Sequence, residues 1–366
     1  MLSRLNGSSR TSAAILLLAA SVAACNDEKR NTNVDAGAPD AGVTGPILGG
    51  KLGQAVAAAQ SAAPVQKEER PDGAPPESGI FGPGEADAKQ SPTAPPGLQM
   101  FSEGSDPKIP LAYAITPGAE RKATILLQTR AAQAALPPMT IAYVFKSEKP
   151  KDEKKTDKDK DKPAPAGLPV TVKIEEVKPL RGGSLGGDLE GLKDVVLRYR
   201  LTPNGVPTEL AIEYPKKSNE AIELVTGALV DVVLGMTVPV PDKPVGVGAY
   251  WMVADRARSS GVDVVRYRVA KVVKIEDKTA TLSLDVRQYA ANSTFALPGM
   301  PKEIQVALEK YESQGKGEVS LGPDAFLPGK GQLNVVMQSQ LSSPQQQQGQ
   351  RLMIQTDVRA ALSNTP

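Results

Sequence analysis

The chain has 366 residues, 43 basic against 41 acidic side chains, a single cysteine and no histidine. A net charge of +2 supplies no field for nucleic acid. One cysteine excludes an intramolecular disulfide, so burial alone must hold the fold. Without histidine there is no Ser-His-Asp triad, no imidazole acid–base catalysis and no histidine-containing metal site, which argues against an enzyme and against a metal or other cofactor.

Arg4 and Arg10 precede an apolar run, residues 13–24, that only Ser21 interrupts. The run is too short to cross a bilayer, which takes about 20 apolar residues, and it fits the core of a secretory signal. It ends in Val22-Ala23-Ala24-Cys25, which resembles the lipobox of bacterial lipoproteins. The resemblance implies a signal peptide 1–24 cut before Cys25, a diacylglycerol on the Cys25 sulfur and an acylated new amino group. Several acyl chains anchor a protein stably to a membrane. The residue after the cysteine is Asn26 rather than aspartate, and in this family that favours the outer membrane, on its periplasmic face, over the alternatives of the inner membrane or exposure at the cell surface.

Between residues 31 and 100, 34 of 70 positions are Ala, Gly or Pro and Phe81 is the lone aromatic. So little apolar surface does not offset the entropy of ordering. Residues 25–106 are therefore expected to be an acylated, disordered tether, with a folded domain over 107–366.

That domain alternates polar and apolar residues with period two, the mark of half-buried strands. Strands are expected near 109–116, 121–129 and 139–146. Val170, Val172 and Ile174 mark another, as do residues 193–201 and the set Leu210, Ile212 and Tyr214. Between them, residues 147–166 carry a dense run of lysines and acids that reads as a solvated, disordered insertion. Asp157, Asp159 and Asp161 have the opening spacing of a calcium loop. Lys162 stands where its glycine belongs and Leu168 where its glutamate belongs, so calcium is not expected. The glycine-rich stretch 181–188 lacks the Gly-Lys-Ser/Thr of a phosphate loop and reads as a plain loop.

One segment breaks the period. Ser218 is placed as an N-cap, and Ile222, Val225, Leu229, Val232 and Val233 follow at helical spacing up to Gly235 at the C-cap position. Leu224, Ala228 and Leu234 make the other side of this helix, 218–234, apolar as well. Such a helix is buried on most sides, or it borders a space that a ligand fills. Further on, Val265, Tyr267 and Val269 pair through Glu276-Asp277-Lys278 with Ala280, Leu282, Leu284 and Val286 as a hairpin. Residues 304–311 and 318–321 are expected to be two strands separated by Gly315 and Gly317. Leu333, Val335 and Met337 form another, and after a glutamine-rich loop at 343–350 Leu352 to Val358 form the last. The expected fold is mainly β: a strongly curved antiparallel sheet or half-barrel of about ten to twelve strands wrapped on one apolar helix.

After the helix stands Pro241-Asp242-Lys243-Pro244-Val245-Gly246-Val247-Gly248-Ala249-Tyr250-Trp251. This P-x-x-P-V-x-x-G-x-x-W segment is similar to one in uncharacterised lipoproteins of Gram-negative, particularly myxobacterial, bacteria. Those proteins usually carry an acid where Ala249 stands. The strand and helix plan also resembles the half-barrels of periplasmic lipoprotein carriers, which hold acyl chains between a curved sheet and a helix. Trp251 either seals the core where the helix docks or lines a ligand mouth. The expected function is a non-enzymatic, membrane-anchored lipoprotein that binds an apolar ligand such as lipid, or an envelope partner, at a face made by Leu224, Ala228, Leu234 and Trp251. The alternatives are a structural lipoprotein with a filled core and, third, a hydrolase working without histidine.

Overall fold

Period-two patterning yields long strands. In the computed structural model, which describes residues 79–131, 134–135, 137–149, 166–180, 187–296, 306–323, 325–342 and 351–365, fifteen strands are formed. They are β1 (Gly97–Ser102), β2 (Ser105–Ile109), β3 (Glu120–Ala131), β4 (Ala134–Ala135), β5 (Met139–Ser147), β6 (Leu168–Pro179), β7 (Val196–Leu201) and β8 (Pro207–Glu213). The second half holds β9 (Val245–Val247), β10 (Tyr250–Ser259), β11 (Val262–Glu276), β12 (Thr279–Phe295), β13 (Ala307–Leu321), β14 (Lys330–Ser342) and β15 (Arg351–Thr365). Two α-helices join them, the short α1 (Glu85–Lys89) and α2 (Glu220–Met236). Cys25 and the signal, most of the tether, the centre of the charged insertion, residues 181–186 and the glutamine-rich loop lie outside the described residues.

The main sheet is antiparallel and runs β1-β10-β11-β12-β13-β14-β15-β3-β5-β6-β7-β8, with β4 paired on β3 and β2 paired separately with β9. Its end strands do not pair, so it is not closed into a barrel. At about 4.8 Å per strand a flat sheet of this size would be roughly 50 Å wide. Yet Met100 of β1 and Ile212 of β8, at opposite ends of the path, pack against the same core as Leu229 of α2. The sheet therefore curls around the helix, as the sequence pattern predicts.

Several details differ from the pattern. The helix is two residues later than 218–234. Asn219, in extended backbone, is the N-cap and its side chain accepts from the Ile222 amide at 2.9 Å. Gly235 stays inside the helix against Leu333, and the chain leaves at Thr237, whose N–H donates to Val233 O. Residues 110–115 alternate inward and outward at Leu111 and Tyr113 but join no ladder. Their amides reach Pro203 O and Ala325 O instead. Alternation reports which side faces the core, and it does not report a pairing partner. Conversely β13 runs unbroken through Gly315 and Gly317, because both stay in register with β14.

The largest correction concerns the tether. Residues 79–106 belong to the folded body. Gly79 and Phe81 bond to Ala290 of β12, Phe81 and Ala86 are buried on the outer face of the sheet, and β1 pairs along β10. Composition averages over the segment. Backbone hydrogen bonds and a single well-placed phenylalanine are enough to dock its last third.

Candidate functional site

The seam between the ends of the sheet carries a cleft of about 1300 Å³. Residues 92–96, just before β1, line it on one side and Pro207 to Ile212 of β8, with Tyr214, on the other. Its wall between them is the side of α2 turned away from the core. Ile222, Val225, Leu229, Val232 and Val233 point into the sheet and are buried, while Leu224, Ala228 and Leu234 line the cleft. Leu210, Tyr214 and Leu224 are 43%, 40% and 41% exposed. Leu210 lies on β8 with Ile212, and Tyr214 directly follows the strand. They are exposed because the strand stands at the open end of the sheet, where no neighbour covers it.

Trp251 is elsewhere. It is fully buried beside the helix, and its indole Nε1 donates to Pro239 O at 2.8 Å. Of the four apolar residues expected at a ligand or core face, three line the cleft and Trp251 belongs to the core. The proline and glycine segment before it is built for close packing. Val240, Val245 and Ala249 are fully buried, and a side chain on Gly246 would collide with Ser105 O.

At the cleft floor stands a charged cluster that the sequence pattern hides. On β11 the alternation is as expected but its phase is inverted. Arg266 and Arg268 face the core, while Val265 and Tyr267 face outward under Phe81 and Tyr289, and Val269 is exposed. Asp255, directly opposite Arg266 across the β10–β11 ladder, accepts from Arg266 Nε and Nη2 at 2.9 and 2.8 Å and from Arg268 Nη2 at 2.9 Å. Arg268 Nη1 also donates to Leu234 O at 2.7 Å and to Thr237 O at 3.1 Å. It thus satisfies carbonyls that the last turn of α2 leaves unpaired, and its charge complements the negative end of the helix dipole. The arginines face inward because the helix end and Asp255 give them partners there.

The fourth member is Asp231, the sole charged residue in the second half of α2. Its carboxylate is 21% exposed and stands 3.9 Å from Arg266 Nη1, at the edge of an ion pair, since Asp255 takes the well-aligned face of that guanidinium. Burial pushes the Asp231 pKa from 3.8 up to about 6. Arg266 and a hydrogen bond with Ser259 oppose the rise, and Asp255 adds to it. Burial also pulls Arg268 down to about 10, so it stays charged at neutral pH. Asp231, Asp255 and Arg266 all line the cleft. Sequence reasoning missed all four. The available signals were an acid alone in the apolar second half of the helix and an Arg-x-Arg pair in the middle of a strand.

Among the described residues no group of acidic or sulfur side chains is arranged to hold a metal, and no helix is long and apolar enough to cross a membrane. No protein-family model matches the chain, and a search of curated proteins finds no match.

Proposed function

We propose that this chain is an outer-membrane lipoprotein, held by acylated Cys25 with its body in the periplasm, that takes a lipid-like apolar ligand into the seam cleft, and that it is a binding module rather than an enzyme. The observation that carries the reading is the cleft face of α2. A helix with Leu224, Ala228 and Leu234 on its solvent side would normally carry polar residues there. Here that side faces residues of β8 across an unclosed sheet. The cleft, about 1300 Å³ and open to solvent along the seam, has room for an acyl chain. The lipobox Val22-Ala23-Ala24-Cys25 supports the anchor, and a histidine-free chain supports binding over catalysis. The packed core face of α2, with Trp251 sealed against Pro239, favours the alternative of a structural lipoprotein.

Gly227 offers a clean test. It lines the cleft, and a side chain placed there meets open space. Gly227→Trp therefore puts a bulky ring into the middle of the cleft from a Cβ that meets no other atom within 4 Å, and replacing a helical glycine removes a cost of up to about 1 kcal/mol. The mature wild-type protein is expected to bind the uncharged fluorophore 1,6-diphenylhexatriene. The variant should bind it about tenfold or more weakly, with an unchanged or raised Tm. A wild-type protein that does not take up the probe sinks the ligand reading and leaves the structural one. For the anchor, Cys25→Ser should move the protein out of the membrane fraction. Unchanged fractionation would reject lipidation.

A further inference from the structure

The cleft is apolar along α2 and β8, but its charges are unbalanced. Five acids line it, Glu209, Glu223, Asp231, Asp255 and Asp263, against Arg256, Arg258 and Arg266. Two of the arginines are spent: Arg256 forks onto Asp263 and reaches Asp87, and Arg266 forks onto Asp255. Asp255 is further neutralised by Arg268 from behind. What remains toward the space is Glu209 and Glu223, which form no ion pair among the described residues, and Asp231 on the floor, against Arg258 and the one positive charge left over where Arg266 and Arg268 share Asp255, an excess of one negative charge.

Resting on the ligand reading above, we propose that the cleft selects amphiphiles whose head group is cationic, an amine or quaternary ammonium at the end of an apolar chain, and that Asp231 is the counter-charge that meets it. The apolar body would lie along Leu224, Ala228 and Leu234, with the head against the carboxylate that Arg266 serves poorly at 3.9 Å. A carboxylate-headed chain would bring a like charge to three acids in a partly dry site, where Coulomb terms exceed those in water. The net charge of the whole chain is +2, so a preference for cations would have to come from the cleft and not from the overall field.

The groups that face Asp231 set its response to pH. They are Arg266 on β11, Asp255 and Ser259 on β10, Gln288 on β12 and the buried Tyr311 on β13, with Arg268 behind Asp255. Both arginines and Asp255 keep their charges between pH 5 and 8, and the rest are neutral there, so Asp231 is the group in the cluster that titrates in this window. Protonating it removes the counter-charge.

Diphenylhexatriene and its trimethylammonium and propionate derivatives share one apolar rod and differ in head charge. Titrated against the mature protein at pH 7.5 and low salt, the cation is expected to bind about tenfold or more tightly than the propionate, with the uncharged probe between. At pH 7.5 the ratio should contract several-fold in Asp231→Asn, and at pH 5 the advantage of the cation over the uncharged probe should contract likewise in the wild-type protein. Glu223→Gln, a rim change that leaves the floor intact, should contract it less. Equal or tighter binding of the propionate overturns the proposal, as does a cation preference that Asp231→Asn leaves unchanged. Failure of the uncharged probe to bind at all instead removes the ligand reading itself.

Discussion

Burial holds the Asp231 carboxyl at about 6, and the distant Arg266 only partly compensates. The folded protein therefore keeps a proton that the unfolded chain releases near 3.8, and stability falls as pH rises through the window from about 4 to 6. A shift of about two pKa units corresponds to at most about 3 kcal/mol, all of it present at neutral pH. Asp255 behaves oppositely. Burial favours its neutral form, but the charges of Arg266 and Arg268 outweigh that and hold it below 3.8. Its contribution is complete above that value and is lost as pH falls through the lowered one. Asp231→Asn should therefore raise the unfolding free energy measured in urea at pH 7.5 by about 1–3 kcal/mol and change it little at pH 4. Asp255→Asn should cost about 3–5 kcal/mol at pH 7.5, since it leaves two buried guanidinium groups without their carboxylate. A destabilising Asp231→Asn at pH 7.5 would mean that its charge is better compensated than the 3.9 Å contact allows.

At the scale of the element, α2 works as a partition with two apolar faces of unequal energy. Leu229 is almost fully buried on the core side and Leu224 is largely exposed on the cleft side. Leu229→Ala should cost about 2–5 kcal/mol. Leu224→Ala should cost under about 1 kcal/mol, as surface truncations do, and weaken uptake of the uncharged probe. Equal costs, measured by urea unfolding, would show that the cleft closes over Leu224 in solution. Both faces of this helix were legible in its spacing, and so was the hairpin of β11 and β12, whose turn residues Asp277 and Lys278 both take positive φ. The phase of β11 was not. Hydropathy assigns Arg266 and Arg268 to solvent, and only the position of the helix C-terminus, a tertiary fact, turns them inward. The same limit applies to Asp231. An acid alone in the apolar second half of a helix marks a polar feature, but its spacing does not say whether an arginine neutralises it or a cavity receives it.

Across the whole molecule, the seam lies between two sheet ends that do not pair, and one of them has an added fastening. The β1 end is fastened by a strap that crosses the outer face. Phe81 donates its amide to Ala290 O at 2.9 Å, and Ala290 returns a bond to Gly79 O at 2.8 Å. Phe81 then packs beside Tyr289, α1 follows, and Arg256 ties Asp87 and Gln90 O to β10. From there residues 92–96 pass along the cleft into β1. Composition gave no sign of this, because the strap is held by backbone bonds, one buried aromatic ring and one arginine from a distant strand. Its removal uncovers Val265 and Ala291 on the outer face and leaves β10, which carries Trp251, as the edge of the sheet. A chain beginning at residue 71 should match the full mature protein in urea unfolding, whereas one beginning at 107 should lose most of its stability or fail to fold. Phe81→Ala is the gentler version and should cost about 3–5 kcal/mol. Amide exchange supplies a reading that needs no truncation: the Phe81 and Ala290 amides should be protected like those of the β11–β12 ladder. Rapid exchange at Phe81, together with full stability of the chain begun at 107, would return residues 79–106 to the tether and leave the β1 side of the cleft without a wall.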